Sequence, residues 1–149
     1  MSQATSDEQA ITNLLFRYAR LIDAGDFDEV GSLFSNGTYV GLPGALVADR
    51  LRTTVVLHDG KMGTKHVTTN VEIYFTNDRT EADVFSNFTV FQQTPTLPLQ
   101  PIVAGRYEDK MSNVGADQAG GSTWHFVERL IHVELVGDLS NHLSRPLRL

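Results

Sequence analysis

The chain changes its hydrophobic period at one stretch of ten residues, His66-Val67-Thr68-Thr69-Asn70-Val71-Glu72-Ile73-Tyr74-Phe75. Polar side chains at the even-numbered positions alternate with mostly apolar side chains at the odd-numbered positions. This period of two residues is typical of a β-strand. Upstream of it, apolar residues recur with the period of an α-helix. The sequence therefore predicts helices first and strands second, which is an α+β layout.

The first predicted helix covers roughly residues 7 to 23. Ser6 and Gln9 have the spacing of a capping box, in which the first side chain caps the helix N-terminus. Gly25 suits a left-handed cap at the C-terminal end. The apolar residues that share one face of this helix are Ile11, Leu14, Leu15, Tyr18 and Ile22.

Two shorter helices and a short strand are predicted before the period changes. Asp26 and Glu29 repeat the capping-box spacing, so we expect a second helix directly after the first. Asn36-Gly37 indicates a turn, and Thr38-Tyr39-Val40 indicates a short strand. Residues 45–57 are rich in Leu and Val and predict a third helix.

Three further strands are predicted after the first one. A turn at residues 77–78 and a proline-containing break at residues 94–98 separate them. Small and polar residues from 112 to 122 predict a flexible hairpin tip, and the tail after Gly137 is predicted to be irregular. The three strands are Glu81–Gln93, Ile102–Met111 and Trp124–Val136.

Composition argues against several classes of function. The chain has 149 residues, of which 41% are hydrophobic, so we expect one domain, residues 1–149, that builds its own core. A formal net charge of −6 without clustered Lys or Arg argues against a nucleic acid or an anionic membrane as partner. The N-terminal residues lack a signal pattern and no apolar run is long enough to span a membrane, so we expect a cytoplasmic protein.

The sequence offers no pattern typical of a metal or cofactor site. It contains no Cys, which removes disulfides, thiolate nucleophiles and Cys-ligated zinc. The histidines other than His66 form no His-x-His or His-x-x-x-His pair beside a carboxylate motif. These histidines are His58, His125, His132 and His142. We therefore predict that the protein needs neither a metal nor a cofactor.

The order of these motifs resembles the SnoaL-like branch of the NTF2-like superfamily. The resemblance rests on Tyr18-Ala19-Arg20-Leu21-Ile22-Asp23 in the first helix, on Asp26-Phe27-Asp28, on the strand opened by His66, and on Trp124-His125-Phe126. It implies an α+β cone, in which three N-terminal helices pack on a strongly bent, mostly antiparallel sheet that encloses a cavity. Members such as scytalone dehydratase and bile acid 7α-dehydratase carry a catalytic Asp–His pair at the mouth of that cavity.

By position, the resemblance implies three catalytic residues in this chain. Asp23 matches the family's pocket aspartate, and His66 matches the family's histidine that opens the strand. Tyr18 matches a tyrosine of bile acid 7α-dehydratase. The second histidine of scytalone dehydratase falls on Phe91 by ungapped counting, and its two water-holding tyrosines fall on other residue types. A carboxylate at a helix C-terminus costs about 0.3–1 kcal/mol, so local stability does not explain Asp23.

Substrate-binding residues depend on which face of strand 81–93 points inward. One face carries Ala82 and the even-numbered residues up to Val90, and the other carries Asp83 and the odd-numbered residues up to Phe91. The resemblance favours the odd-numbered face. The predicted contacts there are Asn87 as a hydrogen-bonding group and Phe85 and Phe91 as apolar wall.

Three further residues are candidates for contact with a substrate. Tyr39 is predicted to line the mouth of the pocket. Arg129 and His132 lie three positions apart on the last strand, so they point to opposite faces and at most one of them reaches the cavity.

The leading hypothesis is a small cofactor-independent lyase or isomerase of the dehydratase type. His66 would act as general base, Asp23 would fix its tautomer, and Tyr18 would donate a hydrogen bond to the substrate. The expected ligand is a hydrophobic cyclic or polyketide-like small molecule, and the resemblance implies a homo-oligomer, either a dimer or a trimer. Two alternatives stay open: a non-catalytic ligand-binding or dimerisation module on the same fold, and a relative of the β-subunit of ring-hydroxylating dioxygenases, which would need a large α partner.

Overall fold

The structure, a computed structural model, describes residues 4–116 and 122–147. The helices and the long strands follow in the order that the sequence predicts, and the short strand Leu42–Pro43 is an addition to it. The helices are α1 (Asp7–Ala24), α2 (Phe27–Ser32) and α3 (Val47–Thr54), with a short 3-10 turn at Gly44–Leu46. The strands are β1 (Thr38–Tyr39), β2 (Leu42–Pro43), β3 (Thr64–Phe75), β4 (Glu81–Thr94), β5 (Leu97–Ala116) and β6 (Ser122–Val136).

The caps of α1 confirm the predicted first helix. The Ser6 hydroxyl accepts a hydrogen bond from the backbone N–H of Gln9 at 3.1 Å, and Gly25 ends the helix with φ of 73°. The predicted capping role of Asp26 at α2 is wrong, because its side chain makes no capping hydrogen bond. The third helix is shorter than predicted, because the residues before Val47 form the 3-10 turn.

The strands form one curved, open sheet in the order β2-β1-β6-β5-β4-β3. Its pairs are antiparallel except for β1 and β6, which run parallel. Helix α1 packs against β3 and β6, so the helices cover one face of the sheet. The side chains that meet there with no exposed surface include Ile11, Leu15, Phe34, Val84 and Phe126.

Strand β3 contains a bulge that the sequence analysis did not predict. Thr69 pairs with Asn87 and Glu72 pairs with Phe85, so β3 holds one more residue than β4 over this span. Asn70 lies within the bulge and has φ of 54°. The predicted alternation through Phe75 is therefore wrong: the inward parity of β3 is even up to Thr68 and odd from Val71 onward.

Strand β5 is longer than predicted and absorbs much of the expected hairpin tip. It runs to Ala116, and β6 begins at Ser122, whereas residues 117–121 lie outside the described part of the chain. Residues 138–147, the described part of the tail, contain no named helix or strand, as predicted, but they are tied to the rest of the fold. Leu143 forms an isolated β-bridge with Val55. Within the described residues, no helix has the length and apolar character needed to cross a membrane.

Candidate active site

Asp23 and His66 meet in the fold, although 43 residues separate them in the sequence. Asp23 closes α1 and His66 lies near the start of β3. The Asp23 Oδ1 atom lies 2.6 Å from the Nδ1 atom of His66. The carboxylate also accepts the backbone N–H of His66 at 2.9 Å and the hydroxyl of Thr64 at 2.9 Å.

This contact fixes the tautomer of His66. Because an ionised carboxylate only accepts hydrogen bonds, Nδ1 of His66 carries the proton and its Nε2 atom carries a lone pair. The side chains of His66 and Asp23 are only 9% and 11% exposed. The pair is thus an oriented imidazole that can accept a proton at Nε2.

His66 lies in the wall of an apolar cavity of about 240 Å³ between the helices and the sheet. Tyr18 and Tyr39 line the same cavity. Asp23 lies on the other side of His66 and lines a second, outer pocket. Most of the other lining side chains are apolar. They include Ile22, Leu51, Val55, Met62, Phe88, Val90, Val103, Ile131, Val133, Leu139 and Leu143.

Three tyrosines supply polar atoms to the cavity wall. The hydroxyls of Tyr18 and Tyr39 are hydrogen-bonded to each other at 2.9 Å, and Tyr107 lies beside Tyr18 with ring centroids 5.9 Å apart. Burial raises the pKa of Tyr18 and of Tyr107, and it raises the pKa of Tyr39 well above its ordinary value. All three phenols are therefore neutral near pH 7 and can donate hydrogen bonds.

A buried ion pair lies behind these tyrosines. Arg129 donates two hydrogen bonds of 2.8 Å to Asp109, and both side chains are fully buried. The guanidinium carbon lies 4.3 Å from the ring centre of Tyr18 and 3.9 Å from that of Tyr107. Arg129 is therefore held beneath the cavity wall and does not line the cavity itself.

Comparison with protein families identifies the fold. A model of the SnoaL-like domain matches residues 3–129. This chain belongs to the SnoaL-like domain family. A search of curated proteins finds no match to it.

Solved structures similar to this SnoaL-like domain share its fold at low sequence identity. A protein from Novosphingobium aromaticivorans, provisionally described as a scytalone dehydratase, is 22% identical with a TM-score of 0.67, over 89% of this chain and 87% of that one. A protein of unknown function with a cystatin-like fold from Nostoc punctiforme is 18% identical with a TM-score of 0.67, over 92% and 99% of the two chains. The β subunit of a protein provisionally described as an aromatic-ring-hydroxylating dioxygenase, also from N. aromaticivorans, is 18% identical with a TM-score of 0.64, over 85% and 88%. At these identities the likeness shows the fold alone.

The predicted inward face of β4 in this SnoaL-like domain is wrong. His66 pairs directly with Val90, and directly opposed residues in a sheet lie on the same face. The inward residues of β4 are therefore the buried, even-numbered ones from Ala82 to Val90. Asn87, Phe85 and Phe91 lie on the opposite face, away from the cavity.

Strand β6 places its two predicted site residues, Arg129 and His132, on opposite faces of the sheet, as the alternation of a strand predicts. Arg129 points into the core, whereas His132 lies on the outer face, where its Nε2 atom is 3.3 Å from Glu108. His132 does not line the cavity.

Sequence reasoning missed four polar residues that line the cavity, namely Arg50, Thr54, Tyr107 and His142. Tyr107 pairs with Ser86 and therefore shares the inward face with the even-numbered residues of β4, and this register has no local signal in the sequence. His142 comes from the tail, where no periodic pattern indicates a contact with His66. The rings of His66 and His142 have their centroids 6.5 Å apart. In the described part of the chain, no group of three or more His, Asp or Glu side chains could hold a metal ion.

Proposed function

We propose that this SnoaL-like domain is a small cofactor-independent enzyme, a lyase or isomerase of the dehydratase type. Its substrate is a hydrophobic cyclic or polyketide-like molecule that enters the cavity. The observation that carries the proposal is the 2.6 Å contact between Asp23 and His66, with His66 in the cavity wall. An oriented imidazole in an apolar pocket is a common device for proton transfer near neutral pH.

The proposed reaction begins at a carbon next to a carbonyl group. Nε2 of His66 removes a proton from this carbon, and the bonding electrons move into an enolate. Asp23 stabilises the imidazolium that results, because its carboxylate keeps the contact with Nδ1. Tyr18 donates a hydrogen bond to the enolate oxygen, where negative charge develops.

The second step returns the proton. For elimination, the imidazolium of His66 protonates the hydroxyl group on the β-carbon, the carbon–oxygen bond breaks, a carbon–carbon double bond forms and water leaves. For isomerisation, the same proton returns to a different carbon of the enolate. Each route regenerates neutral His66 and consumes no other reactant, which agrees with a cofactor-independent enzyme.

The surroundings of the pair favour this chemistry. The apolar lining excludes water, which strengthens the hydrogen bonds that the transition state receives. Arg129 places a positive charge near the rings of Tyr18 and Tyr107, although Asp109 compensates it. General acid–base assistance of this kind contributes about 10²–10⁴-fold in rate.

The test is the dehydration of 3-hydroxycyclohexanone to cyclohex-2-enone, followed by the absorbance of the conjugated ketone. We expect the wild-type protein to accelerate the reaction, and His66→Ala to lower the rate by at least about 10²-fold. His132→Ala is the matched control, because this histidine lies on the outer face of the sheet. Equal rates for the wild type and His66→Ala would overturn the mechanism. If the protein binds the ketone but does not convert it, the domain is a ligand-binding module and the proposal of an enzyme is wrong.

A further inference from the structure

His142 brings a second imidazole into the cavity that His66 lines. Only 8% of His142 is exposed, and its Nδ1 atom is buried with no hydrogen-bond partner among the described residues. The two ring planes are inclined by 64°. A buried nitrogen in this state has lost its contact with water without gaining another partner, which destabilises the fold. A purely structural role therefore does not explain why an imidazole occupies this position.

Hydrogen bonds on both sides of His142 hold its backbone in place. The carbonyl of Asn141 accepts the Nε2–H of His58 at 2.8 Å and the side-chain amide of Gln92 at 3.0 Å. The carbonyl of His142 accepts the backbone N–H of Val56 at 2.8 Å. These bonds position the ring without using its nitrogen atoms, so no hydrogen bond within the described residues occupies Nδ1.

The electrostatic surroundings of His142 differ from those of His66. His66 has the carboxylate of Asp23 in direct contact. Burial lowers the pKa of His142 to about 4, and His66 acts in the same direction when it is protonated, while Asp23 opposes both. His142 is therefore neutral near pH 7, and a neutral imidazole has one N–H donor and one nitrogen acceptor.

We propose that His142 contacts the substrate directly and hydrogen-bonds to a carbonyl or hydroxyl oxygen of an uncharged apolar ring compound, while His66 acts on a different atom of the same molecule. This inference rests on the proposed function and narrows its substrate class. A cavity of about 240 Å³ lies below the ~300–1,000 Å³ of pockets for drug-sized ligands. The substrate is accordingly small, with one or two rings.

Indan-1-one and indane are suitable probes, because they share a two-ring frame and differ by one carbonyl oxygen. The dissociation constant of each is measured for the wild type, His142→Phe and His132→Phe. We expect the wild type to bind indan-1-one roughly five- to tenfold more tightly than indane, which is the effect of one neutral hydrogen bond. His142→Phe should lose part of this preference, because the Tyr18 hydroxyl still donates to the carbonyl oxygen, whereas His132→Phe should keep all of it because it alters the outer face.

The outcomes separate this inference from the proposed function. His66→Phe is measured in the same way. A preference for indan-1-one that is unchanged in His142→Phe and disappears in His66→Phe would overturn the role of His142 and leave the proposed function intact. A preference that is unchanged in both variants would also overturn it. If neither probe binds the wild type at millimolar concentration, the apolar cavity does not take ring compounds, and both proposals are wrong.

A measurement on the unaltered protein covers the case in which His142→Phe does not fold. The ring nitrogens of the histidines are observed by ¹⁵N NMR while each probe is added. We expect indan-1-one to shift the ring nitrogens of His142 more than indane does, and to leave those of His132 unchanged. Equal shifts of His142 with the two probes would overturn the inference.

Discussion

At the scale of single residues, Asp23 carries opposing energetic effects. Its position at the C-terminal end of α1 costs about 0.3–1 kcal/mol, because the helix dipole is negative there. Its carboxylate accepts hydrogen bonds from three groups, namely the Thr64 hydroxyl and the backbone and ring N–H of His66. Leaving buried donors without partners costs about 1–3 kcal/mol. The stabilisation from these hydrogen bonds is therefore larger than the unfavourable interaction of Asp23 with the helix dipole.

The first prediction follows from this balance. We expect Asp23→Ala to lower the free energy of unfolding by about 1–3 kcal/mol, because three donors lose their acceptor. Asp26→Ala is the matched control, since Asp26 is exposed and makes no side-chain capping bond. Its effect should stay within about 0.5 kcal/mol. Urea denaturation at pH 7 measures both, and an equal loss in the two variants would contradict the assigned role of Asp23.

The second prediction concerns His142 and pH. Its pKa is lowered to about 4 in the folded protein from the ordinary value of 6.5, so between these pH values the unfolded chain binds a proton that the folded chain does not. Stability therefore falls as pH falls from about 6.5 towards about 4. From pH 7 to pH 5, His142 alone should account for a loss on the order of 2 kcal/mol.

The measurement for this prediction is urea denaturation at pH 7 and pH 5 for the wild type, His142→Phe and His132→Phe. His142→Phe should lose less stability over this interval than the wild type, because it lacks the buried group that resists protonation. His132→Phe should behave like the wild type. The same pH dependence in the wild type and His142→Phe would show that His142 is not held neutral by the fold.

At the scale of secondary-structure elements, the sequence predicted the existence of helices and long strands better than their facing. Ser6, Gly25 and the periodic apolar residues of α1 are local signals, and they gave its bounds to within a residue or two. The bulge at Asn70 has no comparable signal in the sequence. It changes the inward parity of β3 beyond Thr69, whereas the facing of β4 is decided separately by the pairing of His66 with Val90. Register is a tertiary property, and the substrate-binding residues on β4 were mispredicted for that reason.

The third prediction concerns Gly63, which precedes β3 and sets its distance from β4. Gly63 has φ of 68°, and a Cβ atom there would overlap the backbone carbonyl oxygen of Gln93. Gly60 has φ of 77° with nothing within 4 Å of such an atom. We expect Gly60→Ala to cost about 1 kcal/mol from strain alone, and Gly63→Ala to cost about 3 kcal/mol or more, because it adds a steric overlap. Thermal or urea unfolding of the two variants measures the difference, and equal losses would exclude the overlap.

The fourth prediction concerns Gln92, which ties the tail to β4. This fully buried side chain donates to the carbonyls of Met62 and Asn141, both at 3.0 Å. Gln92→Leu should lower the free energy of unfolding by about 1–3 kcal/mol, because both carbonyls lose a donor. It should also speed hydrogen exchange at the amide of Val56, which donates to the carbonyl of His142.

Gln93→Leu is the matched control for this prediction. Gln93 is the next residue on β4, and its side chain is exposed on the other face. We expect it to leave the exchange rate of the Val56 amide unchanged. Faster exchange in both variants would mean that the tail responds to any change in β4 and that Gln92 has no special role in holding it.

At the scale of the whole molecule, the candidate site joins parts of the chain that no local pattern connects. Asp23 lies in the last turn of α1, His66 near the start of β3, Tyr107 on β5 and His142 in the tail. The resemblance to a known family was sufficient to pair Asp23 with His66, because both residues sit in recognisable local motifs. It could not supply His142, because the tail is placed at the cavity by tertiary contacts, which include bonds to β4 and to residues 53–58.

The fifth prediction concerns Arg129 and Asp109, the fully buried pair that links β6 to β5 beneath the cavity wall. Removing one member leaves an uncompensated charge in the core, so Arg129→Met and Asp109→Leu should each cost about 3–5 kcal/mol. The double variant removes both charges and replaces them with apolar side chains, which is often neutral for stability. We therefore expect it to be more stable than either single variant, as measured by urea denaturation of all four proteins. If the losses of the two single variants simply add in the double variant, the pair is not energetically coupled and Arg129 is held by its stacking on Tyr18 and Tyr107 instead.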